Sequence, residues 1–154
     1  MSILFSKYRE ACMRTAGDIT PEVVQLGLCG EAGEVADIVK KHLGHGHPLD
    51  RDKLIEELGD LLWYCAVNQA EATWSDGFFL EDFDTGRGSD LGHMALTVCR
   101  RAAEESLFIF ASVAALARCV DSTIDEVAER NIAKLKKRYP DGFSRERSIN
   151  RGES

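Results

Sequence analysis

Two stretches of the sequence place a pair of acids three residues apart inside an apolar run. In GEAGEVADIVKK the acids are Glu31 and Glu34, and in EELGDLLWY they are Glu57 and Asp60. An α-helix turns about 100° per residue, so each pair shares one helical face. Several carboxylates that converge are hard oxygen ligands of the kind that Mg²⁺ and Mn²⁺ prefer. The sequence therefore predicts a divalent-metal site if the two stretches are neighbouring helices.

Each acid pair borders the apolar stripe of its own predicted helix. The stripe residues are Val24, Leu28, Ala32, Val35 and Val39 on the first of these helices, and Leu54, Leu58, Leu61, Leu62 and Cys65 on the second. The short GHGHPLD link makes the helices antiparallel neighbours, so packing the stripes together brings four carboxylates to a half-buried seam. Gly27 and Gly30 cost about 1 kcal/mol each relative to Ala. Close approach of another helix or a ligand would offset this cost.

The two acid pairs are also compatible with roles that need no metal. A single i,i+3 acid pair on a helix is usually solvated surface, although two pairs that border core stripes are harder to account for in that way. A glycosidase uses two acids, but it needs only two and a cleft rich in aromatic residues. Convergent carboxylates repel one another unless cations neutralise them. The geometry thus favours a metal site without defining a substrate.

A line of polar residues follows the last predicted helix. Asn131, Lys134 and Arg138 are spaced i, i+3, i+7 and so lie on one helical face. Favourable charges at a helix C-terminus account for Lys136, Lys137 and Arg138 without any function, but they do not account for Asn131. Acids with metal on one side and these groups on the other would suit a polyphosphate.

The pattern is helical throughout, and clear strand alternation is hard to find. The predicted helices cover residues 6–16, about 21–43 after a Thr20 cap, about 51–72, about 92–120, and a last helix that begins after Ser122 or Thr123 and ends before Pro140. Residues 75–92 are rich in Gly and Asp and predict a long loop, interpreted as a lid or an interface. The polar residues 144–154 predict a frayed tail.

Composition limits the class of protein and its partners. The 154 residues predict one domain, and a hydrophobic content of 44% is enough for a core. A net charge of −7 makes nucleic acid a poor partner. Five cysteines without a CxxC pair are typical of reduced thiols in a cytoplasmic protein, and Cys29, Cys65 and Cys99 are expected in the core.

The most apolar run, SLFIFASVAALA at residues 106–117, bears on membranes and on assembly. A membrane-spanning helix needs about 20 such residues, so the run is too short and no membrane partner is expected. It is better interpreted as a buried helix or a subunit contact. Because the run is too apolar for one side to face water, it predicts a homo-oligomer.

These motifs resemble those of the MazG-like all-α nucleoside triphosphate pyrophosphohydrolases. That family carries ExxE, a spacer and ExxD, which here are EAGE, 22 residues and ELGD. The similarity resumes at TIDEVAERNIAKLKKRYPDGF and covers roughly half of the chain. The resemblance implies a helical fold, dependence on Mg²⁺ with Mn²⁺ as a possible substitute, an oligomer such as a dimer or tetramer, and hydrolysis of a nucleoside triphosphate to the monophosphate and pyrophosphate.

The resemblance also implies roles for individual residues. The metal ligands would be Glu31, Glu34, Glu57 and Asp60. The residues in contact with phosphate or base would be Asn131, Lys134 and Arg138, with Lys134 neutralising charge on the departing pyrophosphate. From their place on the acid line, Tyr64 and Asn68 are expected to face the base, whereas Trp63 points away from that line and is expected in the core or an interface.

We therefore predict an all-α bundle of four to five helices with an antiparallel pair that carries ExxE and ExxD. One domain would span residues 1–143, with an insertion at about 73–120 that the simplest family members lack, and residues 144–154 would form a tail. Nucleotide-pool housekeeping is the expected role. The alternatives are a narrower dUTPase, dCTPase or phosphoribosyl-ATP pyrophosphohydrolase, and a non-catalytic helical assembly protein.

Overall fold

The computed structural model describes residues 2–68, 77–84, 86, 90–104 and 108–149. These segments form the helices α1 (Phe5–Met13), α2 (Pro21–His45), α3 (Arg51–Asn68), α4 (Leu91–Ala103), α5 (Ile109–Arg118), α6 (Ile124–Arg138) and α7 (Arg145–Ile149), with a 3-10 turn at Leu80–Phe83. Within them, β-type pairing is limited to an isolated bridge between Leu4 and Phe79. The all-helical class is confirmed. The count of four to five helices is not.

Helices α2 and α3 form the predicted antiparallel pair. The Thr20 side chain caps α2 by accepting a hydrogen bond from the Val23 amide, and Gly46 ends it in the left-handed region at φ 71°. All ten predicted stripe residues of the two helices are buried. The last part of the second predicted helix, residues 69–72, lies outside the described segments.

The two glycines of α2 differ in what surrounds them. A Cβ atom on Gly27 would overlap the Tyr64 ring, so a glycine is required where α2 meets the end of α3. At Gly30 a Cβ atom would meet nothing within 4 Å. Close approach within the described part of the chain therefore accounts only for the first glycine.

The single helix predicted at residues 92–120 is wrong. Helix α4 ends at Ala103, Glu104 leaves the helical region with φ −92° and ψ 2°, and α5 begins at Ile109. Residues 105–107 lie outside the described segments. One helix over this range would be about 43 Å long. Dividing it lets α5 fold back against α4 and α3, while α4 packs on α2.

Helix α5 accounts for the most apolar run of the sequence. Nearly all of its residues are buried: Ile109, Phe110, Ser112, Val113, Ala114, Ala115, Leu116 and Ala117. The chain itself therefore covers this helix, and its apolar character no longer argues for a subunit contact. The homo-oligomer stays a prediction. Among the described residues, no helix has the length and apolar character needed to cross a membrane.

The predicted loop at 75–92 and the tail both contain more structure than expected. In the described part of the loop, Leu80 and Phe83 are buried, and Phe83 stacks on Phe110 of α5 with ring centroids 4.8 Å apart. Part of the tail is helical, as α7. Just before α7, the Phe143 amide donates a hydrogen bond to the Arg14 carbonyl. The described part of the loop therefore packs onto the bundle, and the tail is partly helical. The predicted domain boundary at residue 143 stays a prediction.

The thiols expected in the core are not equally buried. Cys65 is buried, Cys99 is half-buried and Cys29 is exposed on α2. Cys29 lies outside the buried stripe of its helix. Apolar surroundings in the sequence therefore indicated burial correctly only on α3.

Candidate functional site

Three of the four predicted acids converge where α2 packs on α3. Glu31, Glu57 and Asp60 each offer a carboxylate oxygen, and these oxygens lie within 4.8 Å of one another. Glu57 is 3% exposed, whereas Glu31 and Asp60 are half-buried. Glu34 is exposed and stands outside this cluster, although its charge still raises the pKa of Glu31. We call Glu31, Glu57 and Asp60 the acid cluster; metal binding by it stays a prediction.

Two lysines bring positive charge to the acid cluster. Lys134 of α6 forms a short hydrogen bond to Asp60 Oδ2 and places its ammonium 2.8 Å from Glu56 Oε1. Lys53 Nζ lies 2.5 Å from Glu57 Oε1 in an ion pair. In the structure the Lys134 ammonium contacts carboxylates, and its predicted contact with phosphate stays a prediction. Glu56 was not predicted to belong to the site, because it directly precedes the ExxD motif and is not part of the i,i+3 acid pair.

The electrostatics of the acid cluster differ from one carboxyl group to the next. Burial raises the pKa of Glu31 to about 7, and the charges of Asp60 and Glu57 add to the effect. Burial also raises the pKa of Asp60, against the opposing effect of Lys134. Burial lowers the pKa of Lys134, but its hydrogen bonds to Asp60 and Glu56 outweigh this and the net pKa is raised. Glu31 is therefore partly protonated near neutral pH, because burial and the neighbouring acids disfavour its charged form.

The carboxylate donor set fits a divalent cation. Three converging carboxylate oxygens suit hard ions such as Mg²⁺ or Mn²⁺, and no soft sulfur or imidazole ligand belongs to the cluster. A cation of charge +2 would stabilise the charged form of Glu31, which burial and the neighbouring acids disfavour. The residues present therefore fit the predicted metal.

Asn131 is buried behind the acid cluster. It is 2% exposed, its Nδ2 donates to Asp60 Oδ1 at 3.2 Å, and its Oδ1 accepts from the Tyr8 hydroxyl at 3.0 Å. Its amide is thus engaged on both sides, with a carboxylate of the cluster and with α1. Asn131 thus has a structural partner in Asp60, and its predicted contact with substrate stays a prediction.

A cavity of about 590 Å³ opens beside the acid cluster, with Glu31 and Asp60 in its wall. Its other lining residues include Trp63, Tyr64, Arg138, Tyr139, Phe143 and Arg145. Tyr64 and Arg138 were predicted to face the ligand. The predicted Asn68, Asn131 and Lys134 do not line this cavity.

Several residues that line the cavity were missed by the sequence reasoning. Trp63 turns toward the α1–α2 connection, where its Nε1 donates to Thr15 Oγ1 at 3.0 Å. Tyr139 and Phe143 follow the end of α6, with ring centroids 5.9 Å apart. Arg145 belongs to the segment that was predicted to fray. An aromatic residue in a polar C-terminal stretch was the available signal for Phe143.

Comparisons with known proteins agree with this geometry. Residues 19–84 match the family model described as the MazG nucleotide pyrophosphohydrolase domain, which confirms the resemblance predicted from the sequence. The Gene 37 protein of Mycobacterium phage L5 is 49% identical over 47 residues, which is 28% of this chain and 41% of the phage protein. The similarity thus spans less than half of that relative. No solved structure matches the chain.

Proposed function

Because residues 19–84 match the MazG nucleotide pyrophosphohydrolase domain, we propose that this chain hydrolyses a nucleoside triphosphate, ribo or deoxyribo, to the monophosphate and pyrophosphate with the help of Mg²⁺. One observation carries the proposal: two members of the acid cluster line a cavity of about 590 Å³ whose other walls carry aromatic rings and guanidinium groups. A nucleotide needs a flat apolar surface for its base and positive charge for its phosphates. Pockets of this size are typical of small-ligand sites.

The metal would be held by the acid cluster. Glu34 lies three residues after Glu31 on α2, so it is the natural fourth ligand at the exposed edge of the cluster. When bound, Mg²⁺ or Mn²⁺ supplies positive charge and Lewis-acid polarisation to the phosphate oxygens. The chain contributes the rest of the polar environment: Lys53 and Lys134 balance the carboxylates before metal arrives.

Substrate contacts are proposed for residues of the cavity wall. Arg138 and Arg145 present guanidinium groups, which bind phosphate oxygens in a bidentate manner. Trp63, Tyr64 and Tyr139 present aromatic rings on which a base can stack. Lys134 keeps its ammonium beside the acid cluster, where it neutralises charge on the departing pyrophosphate. Asn68 does not line the cavity, so its predicted contact with the base has no support from the geometry.

A second candidate function rests on the same ion pairs. If Lys53 and Lys134 neutralise the acids permanently, the cluster is a structural network in a non-catalytic helical protein. The raised pKa of Glu31 argues against a fully balanced network. We therefore place this candidate second. Cytoplasmic nucleotide-pool housekeeping and homo-oligomer formation are proposed as consequences of the first.

A substrate panel tests the proposed function. The protein is incubated with Mg²⁺ and each standard and several damaged nucleoside triphosphates, and products are separated by ion-exchange chromatography. We expect monophosphate and pyrophosphate from at least one nucleotide, and none in EDTA. Diphosphate and orthophosphate as first products would reject the cleavage position. Hydrolysis of none of the nucleotides would favour the non-catalytic protein. Preference for one base would select among the narrower pyrophosphatases.

A further inference from the structure

A chain of hydrogen bonds links the N-terminal helix to the acid cluster. The Tyr8 hydroxyl of α1 donates to Asn131 Oδ1 of α6 at 3.0 Å, and Asn131 Nδ2 donates to Asp60 Oδ1 of α3 at 3.2 Å. Each member belongs to a different helix. Tyr8 is 0% exposed and Asn131 is 2% exposed. Water is thus excluded from both residues, so each needs partners within the protein for its hydrogen bonds.

The direction of this hydrogen-bond chain follows from the chemistry of its members. An ionised carboxylate can only accept, so the Asn131 amide nitrogen must face Asp60 and the amide oxygen must face Tyr8. The Tyr8 hydroxyl must then donate. Burial raises the pKa of Tyr8 well above its usual value, so the hydroxyl keeps the proton that this role requires.

Close approach of α6 to α3 makes the contact with Asp60 possible. A Cβ atom on Gly59 would lie 3.1 Å from Asn131 Cβ and 3.5 Å from the Val127 carbonyl oxygen. The absence of a side chain at residue 59 therefore lets Asn131 sit directly beside the α3 backbone. From there its amide reaches the carboxylate of the next residue, Asp60.

The two oxygens of Asp60 have different partners as a result. Asn131 holds Oδ1 from the buried side, and Lys134 contacts Oδ2. A carboxylate tied at one oxygen has a fixed rotation, and partners behind a metal ligand commonly orient it in this way.

We infer that Tyr8 is a positioning residue of the metal site, acting through Asn131 to fix the rotation of the Asp60 carboxylate. This inference rests on the proposed function. Tyr8 and Asn131 both lie outside residues 19–84, the range that matches the MazG domain. Elements on either side of the matched domain therefore complete its acid cluster. Tyr8 has no contact with the cavity and is not a catalytic residue.

The test is a calorimetric titration of the nucleotide-free protein with Mn²⁺. Tyr8→Phe keeps the ring and removes the donor, and we expect Mn²⁺ affinity to fall about tenfold, the lower end of losses seen when such partners are removed. In turnover assays the Mg²⁺ concentration for half-maximal rate should rise, with the nucleotide KM unchanged. Ser112→Ala is the matched control, because Ser112 is a 0% exposed hydroxyl of α5 bonded to Arg101 and the Phe108 carbonyl.

The control separates positioning from general stability. Ser112→Ala should lower the melting temperature but leave Mn²⁺ affinity unchanged. Tyr8→Phe with wild-type Mn²⁺ affinity would overturn the inference. A double-mutant cycle adds a second criterion: in an Asn131→Ala background, Tyr8→Phe should cause no further loss, and additive losses would also overturn it. If the wild-type protein itself binds no Mn²⁺, the proposed function fails together with the inference; if only the Tyr8→Phe result disagrees, the inference alone fails.

Discussion

The α3 half of the acid cluster differs from the α2 half, although both come from the same i,i+3 pattern. On α3, Glu57 contacts Lys53, and Asp60 contacts both Lys134 and Asn131. On α2, burial and neighbouring acids dominate the surroundings of Glu31 and raise its pKa to about 7. The α3 carboxylates thus have cationic partners and an amide, whereas the surroundings of Glu31 are dominated by burial and by other acids.

The difference comes from which helix packs behind each half. Helix α6 packs against α3 and brings Lys134 and Asn131 to that side. Helix α2 packs against α4, whose contact with it includes the Gln25 side chain on the Ala102 carbonyl. A divalent cation would therefore compensate mainly the charge of the α2 half. Four substitutions or conditions test this contrast, taken from the largest expected effect to the smallest.

Asp60→Asn removes the acid-cluster carboxylate that both Lys134 and Asn131 contact. The side-chain shape is kept, but the proposed metal loses one anionic ligand. Its stabilisation of the transition state, which is worth several kcal/mol, is therefore reduced. We expect pyrophosphate release to fall by about 100-fold or more. The measurement is the rate of pyrophosphate release at saturating Mg²⁺. A rate within twofold of wild type would contradict the assignment of Asp60 as a ligand.

Lys134→Ala makes the α3 half resemble the α2 half. Asp60 and Glu56 lose their shared ammonium, so the metal-free protein should lose about 1 to 2 kcal/mol of unfolding free energy. Saturating Mg²⁺ should restore part of this loss, and turnover should fall as well. Denaturant melts in EDTA and in Mg²⁺ measure the effect. Lys136→Ala, an exposed lysine of the same helix, is the control and should change neither quantity.

The pH dependence of metal-free stability reports on Glu31. Its pKa is raised from 4.5 to about 7 on folding, so the folded state holds the extra proton between these values. Its contribution to stability therefore falls as pH rises from about 4.5 to about 7 and stays low above that range. Glu31→Gln should gain melting temperature relative to wild type between pH 5 and pH 8 in EDTA. A constant difference across this range would show that Glu31 does not titrate there.

Glu34→Gln tests the exposed edge of the α2 half. An exposed charge contributes less than about 1 kcal/mol, so the Mg²⁺ concentration for half-maximal turnover should rise only about threefold. Melting in EDTA should be unchanged or slightly improved, since one repulsive charge beside Glu31 is removed. Loss of turnover as large as that of Asp60→Asn would show that Glu34 belongs fully to the acid cluster.

Periodicity predicted much of the fold and part of the site. The apolar stripes determined which faces of α2 and α3 meet, and the acid pairs on their borders predicted three members of the cluster. Whether Glu34 faces the cluster or solvent depends on how far α2 is rotated about its own axis, and the i,i+3 spacing does not define that rotation. The break between α4 and α5 was missed because the residues that join the two helices, EESLF, contain no Pro or Gly to signal a turn.

Contacts made by a third element were the least predictable from the sequence. Asn131 and Lys134 were correctly placed on one line of α6, yet their partners depend on how closely α6 approaches Gly59. The cavity wall formed by Tyr139, Phe143 and Arg145 depends on the chain turning back after α6. The direction of the chain after α6 depends on contacts with residues distant in the sequence. The polar composition of the segment gave no sign of these contacts and predicted a frayed tail.

The most direct test of the metal site is the anomalous scattering of a crystal soaked in Mn²⁺. We expect a single strong peak, or a close pair, among the carboxylates of Glu31, Glu57 and Asp60, with the Lys134 ammonium moved away from Asp60. Absence of a peak at these carboxylates, with Lys53 and Lys134 still seated on Glu57 and Asp60, would contradict the account and favour a structural network of ion pairs.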